Sequence, residues 1–216
     1  MSDARACAQL DHLVVAATTL ADGIEWFAET TGVVPQPGGK HVAMGTHNAL
    51  MRLGKRVYLE IIAIDPEGVA PARPRWFGLD GIALQSELTL RPRLIHWVAR
   101  TTDIERAVAQ CAIAPGTIHP MSRGDYRWRI TIPDDGALPG KGIVPTLIQW
   151  DVPTHPADRL PKSQVSIAGL AASHADPAQI RAALAALGLD GVLPVTYDRD
   201  TRLAAMLRTP RGIVTL

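Results

Sequence analysis

The predicted order of strands and helices repeats along this chain, and this repeat restricts the possible folds more than any other feature of the sequence. Residues 10–17 form an apolar strand rich in β-branched side chains. Residues 18–31 follow as a helix with a one-sided apolar stripe, and Gly32 is a typical helix stop. Three further extended segments lie at 41–44, 49–53 and 57–64. Together they predict a βαβββ unit.

The same order begins again after a connector rich in proline and arginine at residues 66–75. The first unit covers about residues 10–64 and the second about residues 93–151, so the pair fills a domain at 1–156. A third βαβββ-like unit covers residues 164–216. Units of this size that recur in one chain indicate repeated modules, not unrelated domains.

Composition and charge exclude several classes of protein. The 22 basic and 21 acidic side chains give a formal charge of +1, whereas a dedicated nucleic-acid-binding protein needs clustered positive charge. No apolar run approaches the ~18 residues of a membrane-spanning helix, so no membrane partner is expected. The first residues do not combine a basic region with an apolar stretch, and Cys7 and Cys111 are the only cysteines. These features predict a cytoplasmic protein.

Four polar side chains interrupt strands that are otherwise apolar. His12 lies in the first strand of the first unit and Glu60 in its last strand, while His96 and Gln149 occupy the same places in the second unit. If a pseudo-twofold axis relates the units, the four side chains converge. Such a set suits a divalent ion such as Zn²⁺, Ni²⁺, Fe²⁺ or Mn²⁺. Taken alone, His12 fits a hydrogen-bonded core histidine, and Gln149 fits an amide that orients its neighbours.

Several stretches of the chain resemble the vicinal oxygen chelate superfamily and, within it, the glyoxalase-like domain family. They cover residues from about 10 to 156 and are LDHLVVAATTL (10–20), GGKHVAMGTHNALMRLG (38–54), YLEIIAID (58–65), RLIHWVART (93–101), YRWRITIP (126–133) and LIQWD (147–151). The resemblance implies an α+β fold of repeated βαβββ modules, of the glyoxalase/bleomycin-resistance/dioxygenase-like type. It also implies a curved, mostly antiparallel sheet with helices on its outer face.

The resemblance further implies that the metal ligands lie on the first and last strand of each module, at His12, Glu60, His96 and Gln149. Many metal-binding relatives have a glutamate at the fourth position, where this chain has a glutamine. Glu60 is then the only carboxylate of the four that could also carry a proton. The third unit has no histidine at the matching place near residues 168–169, so it is expected to be ligand-free and structural.

Two further groups are candidates for substrate binding. His41 and Asn48 lie in a glycine-containing stretch, where they could contact the substrate or serve as polar residues of a β-hairpin turn. Arg127 and Arg129 alternate with apolar residues, so they could bind a carboxylate or phosphate, or form a solvated face of a half-buried strand.

These observations lead to three functional hypotheses, of which the first is the leading one. The first is a metal-dependent lyase or isomerase of the glyoxalase type, in which the ion stabilises the enediolate of a small carbonyl or hydroxy substrate and Glu60 is catalytic. The second is a metal-free small-molecule sequestration protein of the drug-resistance type, against which the aromatic content of 5% argues. The third is an enzyme relic kept as an interaction domain. The odd number of modules suggests a homodimer.

Overall fold

The computed structural model describes residues 7–216. Its strands are β1 (Gln9–Ala16), β2 (Gln36–His41), β3 (Thr46–Gly54), β4 (Val57–Ile64), β5 (Arg93–Arg100), β6 (Thr117–Arg123), β7 (Tyr126–Ile132), β8 (Thr146–Trp150), β9 (Ser166–His174), β10 (Val195–Tyr197), β11 (Arg202–Thr209) and β12 (Gly212–Thr215). Its helices are α1 (Leu20–Thr31), α2 (Ile82–Leu88), α3 (Ile104–Gln110), α4 (Pro156–Arg159) and α5 (Pro177–Ala186). None of the helices in residues 7–216 has the length and apolar character of a transmembrane segment.

The first two units share one eight-stranded sheet with the order β2-β3-β4-β1-β5-β8-β7-β6. In each unit the first strand lies parallel to the last, as β1 does to β4 and β5 to β8. The antiparallel pairing of β1 with β5 joins the two units at the centre of the sheet. The sheet curls so far that its edge strands, β2 and β6, come into contact. The curled sheet therefore forms a cup, with an enclosed inner face and an outer face.

Helix α1 lies against the outer face because its sequence permits a close approach. Thr19 caps its first turn by accepting a hydrogen bond from the Asp22 amide, and Gly32 ends it in the left-handed conformation. A Cβ atom added at Gly23 would lie 2.5 Å from the Ile61 side chain of β4. Only glycine therefore allows this helix to approach the sheet so closely.

The third unit has the predicted element order but a different strand order. Its four-stranded sheet runs β10-β9-β11-β12, so its first strand pairs with β10 and β11 and not with its last strand. Leu170, Leu184 and Leu207 of this unit share one buried apolar cluster with Leu13 and Trp97 of the eight-stranded sheet. The third unit thus covers the outer face of the cup within the same chain. The division into domains and the homodimer stay predictions.

Two edge strands differ from the sequence prediction. Residues 42–44, expected to be extended, form a 3-10 turn, and the edge strand β2 precedes them. Residues 126–132, within the stretch YRWRITIP, are the second half of a hairpin, in which β6 precedes β7 and Gly124 turns the chain with a positive φ. Both missed strands contain a proline, Pro37 in β2 and Pro120 in β6, which an edge strand tolerates because one of its sides has no sheet partner.

Candidate active site

The inner face of the cup encloses a small cavity of about 30 Å³, a volume comparable to that of one water molecule. Its walls come from both units and from the connector between them. They consist of His12, His41, Asn48, Tyr58, Glu60, Trp76, Phe77, Arg123, Trp128, Ile130, Ile148 and Trp150. The cavity therefore combines titratable groups with an aromatic lining.

A bulge in β1 brings the neighbouring side chains of Asp11 and His12 together. Against β5, Leu10 pairs with Ala99 and His12 with Val98, so Asp11 is an extra residue in the ladder. The Nδ1 atom of His12 lies 2.7 Å from Oδ1 of Asp11. Because a carboxylate only accepts hydrogen bonds, the Nδ1 atom of His12 is the donor.

This hydrogen bond leaves the Nε2 atom of His12 free to face Glu60. The Nε2 atom lies 3.7 Å from Oε2 of Glu60, too far for a direct hydrogen bond, and both side chains are almost fully buried. Tyr58 stacks on the imidazole with its ring centroid 4.5 Å away. The geometry holds an imidazole nitrogen and a carboxylate on either side of a narrow gap.

Asn48 orients the carboxylate of Glu60. Its side-chain Nδ2 donates to Oε1 of Glu60 at 2.5 Å, while its Oδ1 accepts from the backbone amide of Gly39 at 2.8 Å and from Nη1 of Arg123 at 3.1 Å. These contacts fix which end of the amide is the donor. One oxygen of Glu60 is thereby engaged, and the other faces His12.

His41 is held as a neutral imidazole beside Arg123. Its Nε2 accepts from Nη1 of Arg123 at 3.1 Å, so the proton is on Nδ1, which donates to the hydroxyl of Thr46 at 3.2 Å. The pKa of His41 is lowered to about 4, mainly by burial; the Glu60 charge opposes this shift and the Arg123 charge adds to it.

Asp11 is a fully buried carboxylate with three donors. Besides His12, it accepts from Nε1 of Trp150 at 3.0 Å and from Nε2 of His155 at 3.0 Å. The other ring nitrogen of His155 accepts from the Ala157 amide, which fixes Nε2 as the donor. Burial raises the pKa of Asp11, but the hydrogen bonds from the two histidines and their electrostatic interaction with the carboxylate outweigh burial and hold the pKa well below its usual range.

His96 shares the inner face with His12 but does not join the cavity group. Val14 of β1 pairs with His96 just as His12 pairs with Val98, so both imidazoles project from the same side of the sheet. Both nitrogens of His96 are used within the chain: Nε2 accepts from the Thr146 amide and Nδ1 donates to the Gly142 carbonyl, each at 3.0 Å. Contrary to the sequence expectation, His96 is therefore bound to backbone and not free to bind a metal.

Gln149 also departs from its predicted role as a ligand. In β8 the side chains of Ile148 and Trp150 line the cavity, so Gln149 lies on the opposite face of the strand. Its Oε1 accepts from the amide of Ile104 at 2.9 Å, which caps the start of α3. This contact agrees with the alternative interpretation of Gln149, in which the amide orients its neighbours.

Arg127 and Arg129 face away from the cavity as well. Arg129 pairs with Gln149 across the strands and forms ion pairs with Glu105 and Asp151, and Arg127 is exposed. Alternation along β7 places Trp128 and Ile130 on the inner face. The solvated-face interpretation of the two arginines agrees with this geometry, and the cation that reaches the cavity is Arg123.

The four predicted metal ligands do not come together. His12 and Glu60 face each other, whereas His96 is engaged by backbone and Gln149 lies on the outer face. Within the described residues, no three histidine, cysteine, aspartate or glutamate side chains are arranged to hold a metal ion. The donor set of this cavity thus does not fit the predicted centre.

The two neutral histidines, His41 and His96, predict that stability falls steeply with falling pH in mild acid. Burial lowers the pKa of His96 to about 3, and that of His41 is lowered to about 4. Both stay neutral in the folded protein while the unfolded chain takes up protons below pH ~6.5. The free energy of unfolding should fall by up to about 2.7 kcal/mol per pH unit between about pH 6 and pH 4.

Urea unfolding at several pH values within this window measures the slope. The variant His96→Gln lacks one of the two titrating imidazoles. Its free energy of unfolding should therefore change with pH about half as steeply as that of the wild type. A wild-type stability that does not change between pH 6 and pH 4 would contradict the assigned protonation states.

Comparison with known protein families identifies the chain. A family model described as a glyoxalase-like domain matches residues 10–188. The chain belongs to the glyoxalase-like domain family. Membership confirms the resemblance to the vicinal oxygen chelate superfamily and the α+β fold expected from the sequence.

Solved structures similar to this glyoxalase-like protein extend the comparison. A hypothetical protein from Staphylococcus aureus is 13% identical, with a TM-score of 0.57 over 96% of this chain and 84% of that chain, which shows a shared fold. A methylmalonyl-CoA epimerase from Mycobacterium tuberculosis is 17% identical, with a TM-score of 0.41 over 69% of this chain and 91% of that chain. The epimerase from Streptomyces coelicolor, in complex with 2-nitronate-propionyl-CoA, is 15% identical, with a TM-score of 0.41 over 69% and 97%. No curated protein matches the chain.

Sequence reasoning missed three polar members of this site. Asp11 precedes His12 in a strand, where alternation predicts the opposite face, and only the bulge changes this. His155 lies next to a proline in a connector and gave no signal. Arg123 ends β6 beside the glycine turn, a position at which a cation can reach the edge of the sheet, and this was the signal available in the sequence.

Proposed function

We propose that this glyoxalase-like protein is an isomerase or lyase that moves a proton at a carbon next to an oxygen-bearing carbon of a small substrate. The observation that carries the proposal is the buried pair of Glu60 and His12, whose carboxylate and Nε2 face each other 3.7 Å apart across one cavity. Two proton-accepting groups that face a common space are what such a transfer requires.

Glu60 and His12 take different roles in the proposed reaction. The Glu60 carboxylate removes the proton from the hydroxyl-bearing carbon, the C–H electron pair forms a C=C bond, and the carbonyl π pair moves onto oxygen to give an enediolate. Glu60 returns its proton to the adjacent carbon, while the hydroxyl proton moves to the former carbonyl oxygen by way of Nε2 of His12. Asp11 fixes the orientation of the imidazole through the 2.7 Å hydrogen bond to Nδ1.

Hydrogen-bond donors in the wall supply stabilisation for the developing oxyanion. The indole Nε1 of Trp76 is buried and has no acceptor among residues 7–216. Arg123, whose guanidinium group contacts His41 and Asn48, adds a positive charge to the same wall. Hydrogen-bond donors and a positive charge in a cavity from which the substrate displaces water stabilise an enediolate more than water does.

The proposed reaction needs no divalent ion. Of the four predicted ligands for Zn²⁺, Ni²⁺, Fe²⁺ or Mn²⁺, only His12 and Glu60 face the cavity, and the next imidazole, that of His41, accepts a hydrogen bond from the cation of Arg123. A guanidinium group at this distance from an imidazole nitrogen opposes a second cation.

Metal removal should therefore leave this activity intact. Dialysis against a chelator is expected to change the exchange rate less than twofold, and elemental analysis of the purified protein should find well below one equivalent of transition metal. A stoichiometric ion that is lost in Glu60→Gln, together with activity that returns only on its re-addition, contradicts the metal-free mechanism.

Solvent exchange tests the proposed function without knowledge of the full reaction. A panel of small α-hydroxy aldehydes, α-hydroxy ketones and their carboxylate and phosphate derivatives is incubated with the protein in D₂O. Proton NMR should show catalysed loss of the signal of the hydrogen next to the carbonyl group for at least one compound. Exchange that persists unchanged in Glu60→Gln contradicts the assignment of the base.

A second candidate function is sequestration of a small molecule without chemistry. Five of the ten aromatic residues of the chain line this one cavity, so the low overall content does not argue against a stacking site. They are Tyr58, Trp76, Phe77, Trp128 and Trp150. Quenching of tryptophan fluorescence by a panel compound that undergoes no exchange supports this alternative.

A further inference from the structure

A groove of about 420 Å³ lies directly outside the cavity, and the two spaces share one wall residue, Arg123. We call it the entrance groove. It is lined by Pro37, Gly38, Gly39, Leu50, Arg123, Gly124, Asp125, Tyr126, Pro156, Arg159 and Leu160. Because the cavity itself holds about one water molecule, a substrate must displace a wall residue, and Arg123 is the wall residue that stands between cavity and groove.

Arg123 carries a positive charge that forms no ion pair with a carboxylate of residues 7–216. Its Nη1 donates to two neutral acceptors, Nε2 of His41 and Oδ1 of Asn48, each at 3.1 Å. A guanidinium group has five N–H donors in a fork that matches carboxylate and phosphate, so these neutral contacts leave most of its binding capacity unused.

The glycines of β2 keep the floor of the groove free of side chains. A Cβ atom added at Gly39 would lie 3.1 Å from Cδ of Arg123, and one added at Gly38 would lie 2.0 Å from Oδ1 of Asn48. The backbone amide of Gly39 itself donates to Asn48. Glycine at these two positions is therefore what lets Arg123 and Asn48 meet at the edge of the groove.

A second arginine gives the entrance groove a net positive charge. Arg159 lies over the ring of Tyr126, 5.0 Å from its centroid, and its Nη2 is 3.3 Å from Asp125. Asp125 is the only acid among the lining residues, against Arg123 and Arg159. The Arg159–Asp125 pair is exposed, so it is weak and can yield to another anion.

The larger basic cavity elsewhere in the chain is less suited to an anion. It measures about 820 Å³ and includes Lys55, Arg56 and Arg100. Arg100 donates to the backbone carbonyls of Leu10 and Arg56, which ties its guanidinium group to the chain. This cavity also includes the acid Asp151, and it shares Trp150 with the inner cavity but contains neither Glu60 nor His12.

We propose that the entrance groove is the binding site for an anionic group, carboxylate or phosphate, of the substrate, and that Arg123 is its main ligand. The proposal rests on the proposed function and names the substrate class of the same site: a small acid whose reacting carbon reaches Glu60 while its anionic end stays at Arg123. When Arg123 turns to the anion, it releases Nε2 of His41 and Oδ1 of Asn48 and opens the wall of the cavity.

Anion titrations followed by ¹H–¹⁵N NMR test this site directly. Inorganic phosphate and succinate are the probes, and the amides of Gly38, Gly39 and Gly124 report on the groove. Both should shift these amides saturably, and Arg123→Gln should weaken the binding by about tenfold or more, since it removes a charge-assisted contact. Tighter binding of phosphate indicates a phosphate ester as substrate, and tighter binding of succinate indicates a carboxylic acid.

Arg127→Gln is the matched control, because it removes the same charge from the outer face of β7 and should leave the affinity unchanged. Arg123→Lys keeps the charge but loses the planar fork of N–H donors, so its affinity for the anions should lie between that of the wild type and that of Arg123→Gln. Arg123→Lys takes the place of the glutamine variant if that variant does not fold. Equal binding by wild type and Arg123→Gln overturns the proposal, as do shifts confined to the cavity around Arg56 and Arg100 or no saturable shift at all.

Glu60→Gln separates this proposal from the proposed function. That variant should bind the anions as the wild type does and lose only exchange. Anion binding at Arg123 without any catalysed exchange overturns the enzyme assignment alone, whereas Glu60-dependent exchange without anion binding overturns the groove alone.

Discussion

Replacing Glu60 by glutamine is expected to lower the rate of solvent exchange by about 10²–10⁴-fold, the range that a positioned general base contributes. A glutamine side chain can still accept the hydrogen bond from Nδ2 of Asn48, so the fold and the groove should persist. What it cannot do is take a proton from carbon. The rate is measured by proton NMR in D₂O at equal protein concentration.

The matched control for this variant is Glu67→Gln. Glu67 is 82% exposed and pairs with Lys40 outside the cavity, so the same change of charge there should leave the rate unchanged. If both variants retain the wild-type rate, Glu60 is not the base. If both lose it equally, the effect is one of overall charge and not of this carboxylate.

Replacing Asp11 by asparagine is expected to lower the free energy of unfolding by about 3–5 kcal/mol, as removal of one partner from a buried ionic network does. Three donors point at this carboxylate, from His12, Trp150 and His155. An amide offers one acceptor oxygen and two hydrogens of its own, so at least one donor would face another donor. Urea unfolding at pH 7 measures the loss.

Asp125→Asn is the control, since this exposed aspartate should change stability by no more than about 0.5 kcal/mol. The pH dependence gives a second check. The pKa of Asp11 is held low in the folded protein, so its contribution is fully present above about pH 4 and is lost as the pH falls toward the lowered value. The difference in the free energy of unfolding between the wild type and Asp11→Asn should therefore become smaller below pH 4. A difference near zero at pH 7 contradicts the network.

The repeat of elements was sufficient to predict the architecture of the cup. Apolar strands such as β1, β4 and β5 are central and buried, so their sequence pattern is strong. The edge strands β2 and β6 are polar and contain proline, and their pattern is closer to that of turns. The different strand order of the third unit, which packs against the outer face of the eight-stranded sheet, does not follow from the local sequence pattern.

The candidate site was predicted only in part because the strands are buried on both faces. His12 and Glu60 follow the pattern of inner-face residues, and their meeting could be inferred from the repeat. For β8, apolar side chains lie on both faces, so alternation did not show which face Gln149 takes. His96 shares the inner face but lies where the Thr146 amide and the Gly142 carbonyl reach it, a contact between distant segments.

The central claim is that Glu60 and His12 act together on a substrate held in the cavity. Its most direct test is a crystal structure of Glu60→Gln soaked with a compound that the wild type exchanges. We predict that the reacting carbon lies about 3–3.5 Å from the side chain at position 60, with Nε2 of His12 facing the same carbon or its neighbour. A compound bound in another cavity, or with its reacting carbon turned away from both side chains, would contradict the account.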